Sequence, residues 1–372
     1  MKAIGIILAG GNNNRMKELT AKRAVPALPV AGSFRSIDFA LSSMSNSHIQ
    51  TVAVLTQYNA RSLNEHLSSS KWWNFGRKQG GLFLFTPTVT ADNSDWYRGT
   101  ADAMYQNIDF LKRRHEPYVI ISSGDCVYKL DFNRVLDFHI EKKSDITVVC
   151  KDMMYNDDVS RFGVVRMDDE SRITEFDEKP IEALSNTIST GIYVIRRRQL
   201  IELLEAAAEE NRFDFVNDIL VRYKNVKKIY GYKINSYWNN IADIDAYFKT
   251  NMDFLRPDIR SYFFREEPTI CSKVDDLPPA KFNPGSDISN SLVSSGCIIN
   301  GSVKDSVLFK QVFVGKNTTV KNCVILNDVY IGDNVHLENC IVESRGTINP
   351  NTCYCGEDGV MIVKEKNVRY VI

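Results

Sequence analysis

The chain begins with an apolar run, Ala3 to Ala9, that stops at Gly10-Gly11. A short apolar run closed by a glycine turn predicts a buried parallel strand over residues 2–8. Ile37, Ala40, Leu41 and Met44 then recur at helical spacing. Thr51 to Thr56 predicts a second strand, Ala101, Met104, Ile108 and Leu111 a further helical stripe, and Tyr118 to Ser122 a third strand. Strands alternating with helices predict right-handed β-α-β units and a Rossmann-like α/β domain with a mostly parallel sheet. Ligands are then expected beyond the carboxyl ends of the strands, which selects Ala9 to Arg15, Gln57 and Gly124-Asp125.

Residues 144–196 are richer in strands, over 145–150, 163–167, 172–176 and 191–195, and helical patterns follow near 198–210, 214–223 and 244–255. Between 256 and 287 the composition shifts to Pro, Asp and Lys, which reads as a linker. Beyond it Leu308, Val314, Val320 and Leu326 recur every six residues, and Ile331 and Leu337 continue the rhythm after one shortened step. Val314-Gly-Lys-Asn and Ile331-Gly-Asp-Asn repeat a small motif. Apolar pivots at a six-residue period with Gly/Asn corners predict a left-handed parallel β-helix, whose rungs bury their faces only by stacking. The expected organisation is an α/β domain over 1–256, a linker over 257–287 and the β-helix with its tail over 288–372.

Charge and cysteine usage narrow the function. Lys plus Arg equals Asp plus Glu at 46 each, so no global field draws in nucleic acid or an anionic membrane, and any anion site must be local. The eight cysteines include no C-x-x-C pair and most lie in apolar runs such as Ile146 to Cys150, the pattern of reduced thiols in a cytoplasmic protein. The five histidines are scattered, with no zinc-ligand cluster visible. Ala3 to Ala9 is too short to span a membrane and no cleavage-site pattern follows it.

The candidate chemistry starts at Gly10-Gly11, where backbone N–H groups can approach a phosphate that Arg15 can neutralise. The chain continues with Lys22-Arg23-Ala24-Val25-Pro26-Ala27, Arg35-Ser36-Ile37-Asp38-Phe39, Leu55-Thr56-Gln57-Tyr58 and Trp96-Tyr97-Arg98-Gly99-Thr100. Gly124-Asp125-Cys126, Arg161-Phe162-Gly163, Glu175-Phe176-Asp177-Glu178-Lys179-Pro180 and Tyr237-Trp238 follow. In this order, from about residue 3 to about 345, they resemble the bacterial glucose-1-phosphate adenylyltransferase family. The resemblance implies synthesis of ADP-glucose and pyrophosphate from ATP and glucose 1-phosphate, with Mg2+ as cofactor. By the same resemblance Asp125 would hold the metal, and Glu178 and Lys179 the sugar phosphate, with Gly163, Ser189 and Tyr97 beside them. Leu8, Gly10, Gly11, Gln57, Gly99 and Thr100 would lie against the nucleotide, and Arg15 would serve its phosphates.

Three positions depart from the family pattern. The third glycine of the loop is Asn13, the lysine of Arg-Ala-Lys-Pro-Ala is Val25, and the second metal-binding aspartate is Asn240. The histidine of Gly-Asp-His is also replaced, by Cys126. The first three fall on the ATP-phosphate side, while the sugar-phosphate side keeps its match. That combination resembles the regulatory-type (GlgD-type) subunit that some Gram-positive bacteria pair with a catalytic one. It implies a weakly active or inactive chain, weakened or absent Mg2+ binding, retained glucose 1-phosphate binding, and a catalytic paralogue as partner in a heterotetramer. Lys22, Arg23 and Arg35 are expected near the domain junction, where a phosphorylated effector could be held. Two alternatives stand beside this: an active adenylyltransferase that recruits another acid such as Asp243, and a hexapeptide acyltransferase relying on His336, which has no visible partner in the sequence.

Overall fold

The computed structural model describes residues 2–11, 14–76, 80–88, 95–154 and 157–364. Strand Ala3–Leu8 lies inside a nine-stranded sheet, paired in parallel with Thr51–Leu55 on one side and Tyr118–Ser123 on the other. Gly81–Phe85 extends the parallel half beyond Thr51–Leu55. Ile4, Ile7, Val52, Val54, Ile120 and Ile121 are fully buried, as strands covered on both faces require. In the other half Thr187–Arg196 runs antiparallel to Tyr118–Ser123, Ile146–Asp152 and Gly163–Met167, and Ile173–Glu178 closes that edge. The sheet is thus mixed and mainly parallel, and the domain is Rossmann-like.

Helix Ser36–Asn46 follows its apolar stripe, but the stripe from Ala101 to Leu111 splits into Thr100–Tyr105 and Ile108–Lys112. At the break the Asn107 amide donates to the Ala103 carbonyl (2.8 Å) and the Tyr97 hydroxyl (2.9 Å), and the first of these competes with the helical ladder. Among the described residues, no helix is long and apolar enough to cross a membrane.

Helix Phe132–Glu141 buries His139, whose Nδ1 lies 2.8 Å from Thr147 Oγ1 and whose ring meets Tyr118 edge-on. Burial, reinforced by Arg196, lowers the His139 pKa to about 4. An unfolded histidine titrates near 6.5, so between these values the unfolded chain binds the extra proton and stability falls as pH falls. Acidification from pH 7 to 4 should therefore remove about 3 kcal/mol through this group alone. Urea titrations across that window should show a smaller acid loss in His139→Gln than in the unsubstituted chain. Equal losses would show that another group sets the acid limb.

The segment 257–287 carries the helix Pro257–Phe264 and the first coil strand, Lys281–Phe282. From there three parallel five-stranded sheets form the left-handed β-helix. Val314 pairs with Ile331 and Val320 with Leu337, so the coils here are 17 residues long, one short of three hexads. The missing residue changes one expectation: Ile325, not Leu326, occupies the coil interior in line with Leu308 and Val342. Leu326 faces outward with Val307, Phe309, Val324 and Ile341, against Phe39, Tyr247, Phe254 and Phe263 of the preceding region. One sheet of the β-helix is thereby apolar on both faces, which fixes it to the first domain. At one corner Asn317, Asn334 and Asn351 adopt positive φ (54°, 56° and 61°) and their amides hydrogen-bond in a ladder at 3.2 and 3.0 Å.

Candidate active site

Leu8 is level with Leu55 and Ser123 in the sheet, so three strands end together. Beyond them opens a cleft of about 460 Å3, lined by Leu8, Gly10, Gly11, Val25, Gln57, Tyr97, Gly99, Thr100 and Asp125 among others. This is the carboxyl-end position expected from the alternating pattern.

The wall of the cleft is held by side chains that grip backbone. Gln57 Oε1 accepts the Tyr97 N–H (2.6 Å) and its Nε2 donates to the Tyr97 carbonyl (3.3 Å). Tyr97 lines the cleft wall with a largely buried ring, its hydroxyl accepting from the Asn107 amide (2.9 Å). Gly99 is extended, and its need for glycine is steric: a Cβ would stand 2.3 Å from the Phe213 carbonyl oxygen. Thr100 Oγ1 accepts the Phe215 N–H (2.8 Å) and donates to Asp214 (3.4 Å), fixing the same junction.

Gly163 lies opposite Glu178 across an antiparallel pair, and a Cβ there would come within 2.9 Å of Glu178 Oε2. The missing side chain leaves room for the carboxylate. Burial raises the Glu178 pKa, opposed by Lys179, whose Nζ is 3.2 Å away. Lys179 adopts φ 51°, donates its N–H to the Phe162 carbonyl (3.0 Å) and keeps its side chain 61% exposed. Ser189 is buried, with Oγ donating to the Tyr193 hydroxyl (3.3 Å).

Asp125 and Asn240 come together because Trp238–Asn240 runs antiparallel to Cys126–Tyr128, with Asn240 opposite Cys126. Asp125 Oδ1 accepts from Ser123 Oγ at 2.5 Å. Asn240 Oδ1 accepts the Ala242 N–H (2.9 Å), and its Nδ2 lies 3.5 Å from Cys126 Sγ. Burial, with Asp125 beside it, pushes the Cys126 thiol up, so the thiol stays protonated. Magnesium is usually held through one or two carboxylates together with waters and substrate phosphates. Here Asp125 would supply one carboxylate, and the neighbouring position offers a neutral amide whose oxygen already accepts the Ala242 N–H. Val25, 5% exposed, starts the short helix Val25–Ala27 and gives the cleft an apolar wall. Asn13 lies outside the described residues. Arg15 lies on the segment Asn14–Thr20, within electrostatic reach of Asp158 and Arg161, and does not line the cleft.

Residues 4–256 match the family model described as Nucleotidyl transferase, and residues 278–362 match GlmU-like, C-terminal hexapeptide. The glucose-1-phosphate adenylyltransferase of Clostridium novyi (strain NT) is 38% identical over 318 residues, covering 85% of this chain and 83% of that protein. That of Clostridium acetobutylicum is 39% identical over 85% of this chain and 83% of its own length, and that of Bacillus subtilis (strain 168) 36% identical over 86% and 84%. The chain belongs to the glucose-1-phosphate adenylyltransferase family.

Within this adenylyltransferase framework a second, larger cleft of about 1400 Å3 opens between the first domain and the β-helix. Lys22, Arg23 and Arg35 all line it. Arg23 pairs with Glu343 of the β-helix at 2.5 Å and donates to Ser344 Oγ at 3.2 Å. Arg35 donates to Ser62 O and Oγ (2.8 and 2.9 Å), and burial lowers its pKa. Lys22 stands exposed on the rim. Sequence reading missed Arg61, Lys273, Lys310, Arg345 and Lys364, which line the same cleft from five further segments and share no motif. Asp243, the alternative metal acid, has both oxygens engaged: Oδ1 caps helix Ile244–Asp253 through the Ala246 N–H (2.7 Å), and Oδ2 pairs with Arg161. His336 lies on the β-helix with Glu338, two residues along the same strand, 3.5 Å away.

Proposed function

We propose that this chain is a subunit of a glucose-1-phosphate adenylyltransferase of glycogen synthesis, with a degenerate phosphate-transfer centre, acting by modulating a catalytic paralogue in a hetero-oligomer. The observation that carries this reading is the strand register that sets the neutral Asn240 opposite Cys126, next to Asp125, with the apolar Val25 lining the same cleft as Asp125. In-line transfer to the α-phosphorus depends on neutralising developing charge, and this centre has lost a carboxylate and a cation. The sugar side keeps its groups. Glu178 would hold glucose hydroxyls, Lys179 the phosphate, and Ser189 and Gly163 the shape of the pocket. The chain would thus bind glucose 1-phosphate without converting it efficiently. Lys22, Arg23 and Arg35 would hold a phosphorylated effector between the domains, coupling its binding to the partner subunit.

The test is a pyrophosphate-release assay of the lone chain with ATP, glucose 1-phosphate and magnesium, then of the chain co-expressed with a paralogue carrying the Gly, Lys and Asp lost here. Little turnover alone and a changed ATP affinity or effector response in the pair are expected. Turnover of the lone chain in the ordinary range of about 1–1,000 per second would refute it. A pair that never associates would refute the modulating role. Calorimetry supplies an independent check. The unsubstituted chain should bind glucose 1-phosphate, and Lys179→Ala should weaken it about 10- to 100-fold, the worth of a charge-assisted hydrogen bond. Equal affinities would remove Lys179 from the phosphate site.

A further inference from the structure

On one sheet of the β-helix, strand His336–Glu338 pairs in parallel with Cys353–Cys355, setting His336 beside Cys353 and Glu338 beside Cys355. Side-chain alternation sends Leu337 into the coil and these four residues to the outer face together. Neighbouring strands lie about 4.8 Å apart and alternate residues about 6.7 Å apart, so the four share a patch small enough for one ion. Ligand atoms of His336, Glu338 and Cys355 lie within 4.8 Å of one another. His336 Nε2 is 3.5 Å from Glu338 Oε2, and the Cys353 and Cys355 Sγ atoms are 3.6 Å apart. Zinc bond lengths of about 2.0–2.3 Å make the edges of a tetrahedral ligand set roughly 3.3–3.8 Å. Cys353 Sγ stands outside that group of three, and rotation of its exposed side chain would bring it in.

We propose that His336, Glu338, Cys353 and Cys355 form a tetrahedral zinc site that staples the last coil of the β-helix to the coil before it. Two thiolates and an imidazole select a borderline-soft ion over magnesium or calcium. Two thiolates and Glu338 outweigh the ion by one negative charge. Lys321 supplies the balance: its Nζ is 2.6 Å from Glu338 Oε1, leaving Oε2, the oxygen nearer His336, for the metal. The site also lies where the coil needs a staple. Cys353–Cys355 is the terminal strand of its sheet among the described residues, so one side of it is unpaired. The strand after it, Met361–Val363, is reached only through a turn containing Gly356 and Gly359. His336 and Cys353 are one coil apart in sequence, beyond any short metal-binding motif, so only stacking brings them together.

The test uses the full-length, tag-free chain, purified reduced and without chelator. Elemental analysis should find about one zinc per chain, and cobalt substitution should give the thiolate charge-transfer and intense visible bands of a tetrahedral site. Cys355→Ser and His336→Ala should each weaken zinc binding at least tenfold, whereas Cys271→Ser, an exposed cysteine elsewhere, should not. Chelation should lower the unfolding midpoint of the unsubstituted chain and leave that of Cys355→Ser unmoved. Three results would overturn the site: no zinc bound by reduced protein equilibrated with micromolar zinc, equal zinc retention in the variants, or cobalt spectra lacking thiolate bands. A Cys353–Cys355 disulfide that yields no metal-binding form on reduction would overturn it equally.

Discussion

The triple variant Asn13→Gly, Val25→Lys, Asn240→Asp should raise ADP-glucose synthesis by the lone chain at least 100-fold. Asn240→Asp is nearly isosteric and keeps the acceptor for the Ala242 N–H. It sets a second carboxylate beside Asp125, and the neighbouring Cys126 thiol, neutral through burial, adds no repulsion. Val25→Lys places a stem among the apolar residues that now surround the valine, while its ammonium reaches the open cleft. Groups that meet charge only in the transition state are worth about 2–4 kcal/mol each, or about 10²- to 10³-fold in rate. They act as a unit, so the single variants should each recover far less than their share. The measurement is pyrophosphate release at saturating substrates and magnesium. A folded triple variant that binds ATP yet stays within twofold of the starting chain would show that the degenerate positions do not limit the chemistry.

Phe263→Ala should cost about 3–5 kcal/mol, the usual loss for a fully buried aromatic ring. Phe263 is fully buried in the helix Pro257–Phe264. It meets Phe39, Tyr237 and Tyr262 edge-on at centroid distances of 5.3, 5.3 and 4.9 Å, and Phe254 at 5.4 Å. The same cluster takes in Phe309, Leu326 and Ile341 from the outward face of the β-helix. Truncation therefore leaves a void where the two domains are joined. A lower urea midpoint is expected, together with earlier loosening of the β-helix from the first domain, read as protease cleavage between residues 265 and 280. The exposed Phe282→Ala should serve as a near-neutral control. A loss below about 1 kcal/mol for Phe263→Ala would mean that the void collapses and the cluster does not hold the domains together.

The local periods of the chain determined its elements. Apolar runs closed by glycines became the central parallel strands, and the six-residue rhythm became stacked coils, because burial on two faces or inside a coil demands those patterns over a few residues. The replaced groups Val25 and Asn240 were readable too, since a side chain's charge needs no coordinates. Side-chain direction at a one-residue offset was not readable from spacing. A coil of 17 residues turned Leu326 outward and Ile325 inward, which created the apolar seam to the first domain. Long-range pairing was likewise a tertiary decision. Only strand register set Asn240 opposite Cys126 beside Asp125, and only domain docking gathered Arg23, Arg35, Lys310 and Arg345 around one cleft and closed the Arg23–Glu343 pair. The same holds for His336, Glu338, Cys353 and Cys355, which parallel stacking brings onto one face. Hydrophobic period acts over one turn of chain, whereas these sites depend on which distant strands pair and in what register, and that choice is made by the packing of the whole sheet and coil.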